Sequence, residues 1–178
     1  MNFVAMDFET ANQKASSACS LALALVENSR IVDTFYTLIN PQTHFNSRNI
    51  AIHHINPRMV QTAPTFDLVW PHIKALFNED HLVVAHNAPF DNRVLKETLA
   101  FYQLQAAPYW SLDTVRTSRK FYPEFPNHKL NTVAQALKIK LEHHHHALDD
   151  TLACAEILLT TQAQVGTEAL KKMTRIIQ

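Results

Sequence analysis

Asn2-Phe3-Val4-Ala5-Met6-Asp7-Phe8-Glu9-Thr10 reads as a buried opening strand, an apolar run rich in β-prone residues that ends in charge. Side chains alternate along a strand with period 2, so Asp7 and Glu9 share one face. At the end of a core strand two such carboxylates repel each other and lose hydration, and a bound cation compensates both costs. The bland alternative is an acidic strand end dipping into solvent. Asp-x-Glu is too short to choose between them by itself.

Further along, His81-Leu82-Val83-Val84-Ala85-His86-Asn87-Ala88-Pro89-Phe90-Asp91 reads as a short buried strand, a turn at Pro89 and the start of a helix through Leu99. Asp91 falls on the stripe of Val94, Leu95, Thr98 and Tyr102 by i, i+3, i+4 spacing, which puts a carboxylate on the inward face. Its plainer reading is a charge favoured at a helix N-terminus.

Near the other end, Leu141-Glu142-His143-His144-His145-His146 has the look of an expression-tag scar, but it runs on into Ala147-Leu148-Asp149-Asp150-Thr151-Leu152-Ala153-Cys154, a patterned helix. The histidines are therefore native sequence. On one helix, His145 and Asp150 would diverge by about 140°. They converge if His145 lies in the loop before the helix and Asp150 in its first turns. Leu148, Leu152, Ala155 and Leu159 form one stripe and Asp150, Cys154 and Ile157 a second, so the helix is expected to pack against the sheet and along a site wall. For any single histidine the alternative is a solvated loop or an adventitious metal tract.

Asp7, Glu9, Asp91, Asp150 and His145 together meet the needs of metal-dependent phosphodiester hydrolysis, which are carboxylates for divalent cations and a base for water. The three segments resemble the DEDDh, or DnaQ-like, 3′-to-5′ exonuclease family from about Phe3 to about Leu158. Its Asp-x-Glu-Thr motif stands as Asp7-Phe8-Glu9-Thr10, its His-Asn-Ala-x-Phe-Asp as His86 to Asp91, and its His-x-Ala-x-x-Asp as His145 to Asp150. Alignment on Ala147 selects His145 among the histidines and Asp150 over Asp149. Ile52-His53-His54-Ile55-Asn56, Leu112-Asp113-Thr114 and Asn127-His128-Lys129-Leu130 resemble minor segments of the same family. Two departures stand out: Ala11-Asn12 where relatives have Thr-Gly, and His54 where they have glycine. Both lie near the nucleotide in relatives and bear on substrate preference.

The resemblance implies an α/β, ribonuclease H-like fold, a mixed five-stranded sheet flanked by helices. It implies two Mg²⁺ or Mn²⁺ ions held by Asp7, Glu9, Asp91 and Asp150, with Asp7 bridging, Asp91 acting directly or through water, and His145 as the base. Thr10, Ala11, His53, His54, Asn87 and Phe90 are the implied substrate contacts, and Asp113 is read as structural. The implied reaction is removal of nucleoside 5′-monophosphates from single-stranded or frayed 3′ ends of DNA, as in proofreading or repair. Two other readings stand beside it: an exoribonuclease trimming short RNA or RNA ends, since 2′-hydroxyl discrimination rests on local geometry, and a non-catalytic subunit docking on a polymerase. Partners on these readings are a single-stranded or 3′-end nucleic acid, and a DNA polymerase or a second copy of the chain.

Length and composition are those of one domain. With 178 residues, 47% hydrophobic, the chain can bury a substantial core, and no linker divides it. A core of about 1–162 and a helical tail of about 163–178 are expected. No stretch is apolar enough to cross a bilayer and no signal peptide opens the chain, so a cytoplasmic protein is expected. Cys19 and Cys154 suit a reducing compartment and read as small buried hydrophobes. Sixteen Lys and Arg against sixteen Asp and Glu leave no net charge, so the chain is expected to grip only a few nucleotides. Arg93, Lys96, Arg116, Arg119, Lys120, His128 and Lys129 are candidate phosphate contacts, and Phe121, Tyr122 and Phe125 candidate stacking rings.

Strands are expected at about 2–9, 18–27, 31–39, 81–86 and 109–114, and helices near 65–78, 90–104, 130–138 and 149–163. Gly166 is the sole glycine. Tight turns must then rely on Asn, Asp, Ser and Pro, with Glu27-Asn28-Ser29-Arg30 the expected hairpin.

Overall fold

Strand β1, Phe3–Thr10, divides the molecule into two layers by its alternation in the computed structural model, which describes residues 1–178. Val4, Met6 and Phe8 face one side, where they pack with Phe66, Trp70, Val94 and Leu95. Phe3 and Ala5 face the other and pack with Cys154, Ala155 and Leu158. Asp7 and Glu9 continue this second row, as period 2 requires.

β1 pairs antiparallel with β2 (Ala18–Glu27), which pairs antiparallel with β3 (Arg30–Leu38). Asn28 and Ser29 join them with φ of 50° and 62°, two consecutive left-handed residues that match the twist of a tight hairpin. On its other edge β1 runs parallel to β4 (Leu82–Ala85), and β4 parallel to β5 (Tyr109–Asp113). The expected mixed sheet flanked by helices is present, with a sixth strand added to the five. β6, Arg175–Ile177, pairs antiparallel with β5, giving the order β3-β2-β1-β4-β5-β6.

Helices α1 (Ser47–His53), α2 (Phe66–Ile73) and α3 (Ala88–Phe101) precede β5, and α4 (Thr114–Phe121), α5 (Leu130–Ala136), α6 (Ala147–Val165) and α7 (Thr167–Lys171) follow it. α2 and α3 cover one face of the sheet, where Phe8, Phe66, Trp70, Phe77 and Tyr109 form a run of ring contacts. α6 covers the other face through Cys154, Ala155 and Leu158. Its second buried side, Ala153 and Ile157, packs on Leu130, Val133 and Ala134 of α5, where a site wall was expected. No helix is long and apolar enough to cross a membrane.

The helical tail needs correction. α6 runs on to Val165 and ends at Gly166, whose φ of 79° an L side chain rarely adopts. After the short α7, the chain turns back along the edge of β5 as β6. Ile176 and Ile177 thus satisfy a strand edge instead of forming an apolar helix stripe.

Candidate active site

Backbone geometry brings the three acidic segments to one end of the parallel strands. β1 extends past the end of β4, so the Phe8 N–H has no strand partner on that side. Asp91, in the first turn of α3 and 1% exposed, accepts it through Oδ1 at 3.1 Å. From the opposite layer, the buried Asp150 in the first turn of α6 comes down beside Asp7 and Glu9. Carboxylate oxygens of Asp7, Glu9 and Asp150 lie within 4.8 Å of one another. Asp91 stands outside that trio and is committed to the β1 backbone.

Asp7 Oδ2 is buried with no hydrogen-bond partner. Burial, followed by the charges of Asp91, Glu9 and Asp150, holds the Asp7 carboxyl well above the usual carboxylate range. Burial also raises Asp91, against the lowering effect of the Phe8 N–H. Glu9 is pushed up to about 8 by burial, then by Asp150 and Asp91. A desolvated oxygen without a donor, inside a trio of hard oxygen ligands, fits a divalent cation of the Mg²⁺ or Mn²⁺ type.

The shift has a measurable sign. A carboxyl whose folded pKa is raised stabilises the protein below its unfolded pKa, and that stability is lost as pH rises through the folded value. In chelator, the melting temperature is therefore expected to fall, relative to Glu9→Gln, between the ordinary glutamate value of 4.5 and about 8. Added Mg²⁺ should recover the loss. Thermal scans across that window check this, and a difference that stays flat would mean the trio ionises without help.

The histidine run divides into two pairs. His145 sits in the loop before α6 with φ of 72°, and its N–H donates to Asp150 Oδ2 at 3.0 Å. His144 Nδ1 lies 3.1 Å from Asp150 Oδ1, and the two rings stack at 3.9 Å. His143 Nδ1 meets Asp149 Oδ2 at 2.9 Å, while His146 Nδ1 lies 3.6 Å from the other oxygen of Asp149 and stacks on Tyr36. Sequence alignment singles out His145 but gives no sign of His144 at Asp150. Burial, then His144, lowers the pKa of His145.

A cleft of about 640 Å³ opens over the trio, lined among others by Asn87, Phe90, Arg119, His128, Lys129, His144 and His145. Phe90 is 42% exposed and presents a ring at its mouth. Asp113 is structural, as expected: its Oδ1 accepts from the N–H groups of Asn87, Ala88 and Val115, tying the turn before α3 to the start of α4. His86, on the same turn, bridges Thr114 Oγ1 and the His128 carbonyl.

Four of the expected substrate contacts do not line this cleft. Ala11 is buried among Cys19, Ile55 and Val60. His53 is buried too, its Nε2 donating to the Thr10 carbonyl and its Nδ1 accepting from the Ile55 N–H. Thr10 is buried, and its carbonyl also accepts from Asn49. These residues fix the end of β1 against α1. His54, at φ of 62°, caps α1 in the left-handed conformation.

The candidate cationic and stacking residues are scattered in the same way. Arg93 pairs with Glu97, and Lys96 reaches the Gln178 carbonyl, both away from the cleft. Lys120 lies over Phe121, and the buried Tyr122 stacks on Phe125. Arg119, His128 and Lys129 alone of the cationic candidates reach the cleft.

A mixed sheet with an acidic trio at the ends of its parallel strands, beside an imidazole and under an open cleft, defines the ribonuclease H-like nucleases as a class. Residues 4–158 match the model of the exonuclease family RNase_T, and the chain belongs to that family. It is 32% identical over 176 residues to the PolC-type DNA polymerase III of Caldanaerobacter subterraneus subsp. tengcongensis, and 34% over 163 residues to that of Bacillus subtilis. The chain spans 12% and 11% of the length of those relatives. Exonuclease X, solved in complex with 5′-overhanging duplex DNA, superposes with a TM-score of 0.79 at 25% identity, covering 96% of both chains. The nuclease domain of 3′hExo, a DEDDh family member bound to rAMP, shares the fold with a TM-score of 0.76 at 20% identity, over 99% of this chain and 96% of its own.

Proposed function

We propose that this chain acts as a 3′-to-5′ exonuclease that releases nucleoside 5′-monophosphates from single-stranded or frayed DNA ends. The observation that carries the reading is the convergence of Asp7, Glu9 and Asp150 around the unpartnered Asp7 Oδ2, next to the imidazole of His145. DNA is chosen over RNA because the relatives over 30% identical are DNA polymerases and Exonuclease X is solved on DNA.

Asp7, Glu9 and Asp150 would hold two Mg²⁺ or Mn²⁺ ions, and Asp91, whose Oδ1 accepts from the Phe8 N–H, would contribute through its other oxygen, directly or through water. Bound cations supply charge neutralisation for the attacking and leaving oxygens of the displacement. His145 takes the proton of the attacking water; its lowered pKa keeps the ring neutral, and so able to accept, near pH 7. Phe90 offers a face to the terminal base, and Asn87 a polar side chain at the cleft. Arg119 and Lys129 meet the phosphates upstream.

With only two such cations, binding should be modest and mildly salt-dependent. Arg119→Ala and Lys129→Ala are each expected to raise KM with kcat nearly unchanged, and to make the salt dependence shallower by roughly 0.7 in the log–log slope. Steady-state kinetics on an oligonucleotide at several salt concentrations check this. A fall in kcat with KM unchanged would place these residues elsewhere in the mechanism.

The test of the activity is incubation of 5′-labelled single-stranded DNA, duplex DNA and RNA with the purified chain in Mg²⁺, in Mn²⁺ and in chelator. The expected result is a ladder shortening from the 3′ end, fastest on single-stranded DNA and absent in chelator. Faster trimming of RNA would overturn the substrate assignment, and no shortening of any strand would overturn the activity.

A further inference from the structure

The family motif needs one histidine before the α6 carboxylate, and this chain places two there. His144 Nδ1 stands 3.1 Å from Asp150 Oδ1, and ligand atoms of His144, His145 and Asp150 all lie within 4.8 Å of one another. The edge of a tetrahedral zinc site, with Zn–N near 2.0–2.1 Å, is about 3.3–3.4 Å, so the set closes when the two stacked rings rotate apart to aim a nitrogen each at the ion. Both rings are accessible: the His144 side chain is 32% exposed and lies at the cleft. Two imidazoles and a carboxylate are a poor set for Mg²⁺ and a good one for a late first-row divalent ion.

We propose that His144, His145 and Asp150 form a second metal site, selective for Zn²⁺ and its neighbours, that overlaps the nuclease trio through Asp150. Zinc held there occupies the ring of His145 and one carboxylate of the trio together. Its binding is thus antagonistic to hydrolysis, and His144 is the residue that makes it selective. The other histidines do not substitute, since His143 and His146 approach opposite oxygens of Asp149. The inhibitory consequence rests on the nuclease reading; the zinc site does not.

The experiment is competition for Zn²⁺ between the full chain and a chromophoric chelator in millimolar Mg²⁺, with circular dichroism confirming that each variant is folded. One zinc per chain is expected. His144→Ala should weaken it at least tenfold, about the smallest loss seen when a zinc site's support is removed, whereas His143→Ala and Asp7→Asn should retain it. Absence of bound zinc, equal loss from His143→Ala and His144→Ala, or loss from Asp7→Asn with none from His144→Ala would each overturn the proposal. The last outcome would place the zinc in the acidic trio. These binding results stand whether or not the chain cuts DNA. Where it does, His144→Ala should raise the zinc concentration for half-inhibition by the same factor.

Discussion

Asp7→Asn is expected to abolish turnover, by roughly 10³-fold or more, the scale of losing charge stabilisation that acts in the transition state. The same change should leave the metal-free protein at least as stable as the parent. Asp7 faces Glu9 and Asp150 across 4.8 Å or less, and one of its oxygens is buried without a donor. Replacing it with a neutral isostere relieves both the repulsion and the desolvation. A residue that merely held the fold would behave in the opposite way. Single-turnover rates and melting temperatures in chelator separate the cases, and a large fall in metal-free melting temperature would assign Asp7 a structural role.

His145→Ala is the second large effect, a loss of about 10²–10⁴-fold in kcat, the range for removing a positioned general base. The loop conformation at φ of 72° and the backbone bond to Asp150 hold His145 beside the trio, whereas the rings of His143 and His146 are held at Asp149. His143→Ala should keep activity, because that exposed ring meets Asp149. Since the pKa of His145 is lowered, the acid limb of the rate profile should fall below the ordinary imidazole value of 6.5. Rates for both variants from pH 5 to 9 check the assignment, and equal losses from His143→Ala and His145→Ala would undo it.

Much of this site was legible because strand and helix periodicity act locally. Alternation in β1 put Asp7 and Glu9 on one face, and i, i+3, i+4 spacing put Asp91 inward. The Asn28-Ser29 hairpin followed from turn chemistry in a chain nearly without glycine. What escaped notice depends on tertiary partners. α4 buries Thr114, Thr117 and Ser118, so it has no apolar stripe to betray it. Asp113, which caps it, was the available signal. α1 is a single short element whose one fully buried side chain is His53, held by the Thr10 carbonyl. β6 is three residues long and exists only because β5 offers it an edge. Gly166 marked the end of α6 and could have separated helix from tail. No periodic pattern distinguishes Asp91, tied to a backbone N–H, from the carboxylates of the trio. That distinction appears only when β1 is seen to outrun β4.

The measurement closest to the central claim is anomalous diffraction from crystals of the chain soaked in Mn²⁺. Manganese density in contact with Asp7, Glu9 and Asp150 is the predicted result. Manganese bound elsewhere on the molecule, with the trio bare and Asp7 Oδ2 still without a partner, would contradict it.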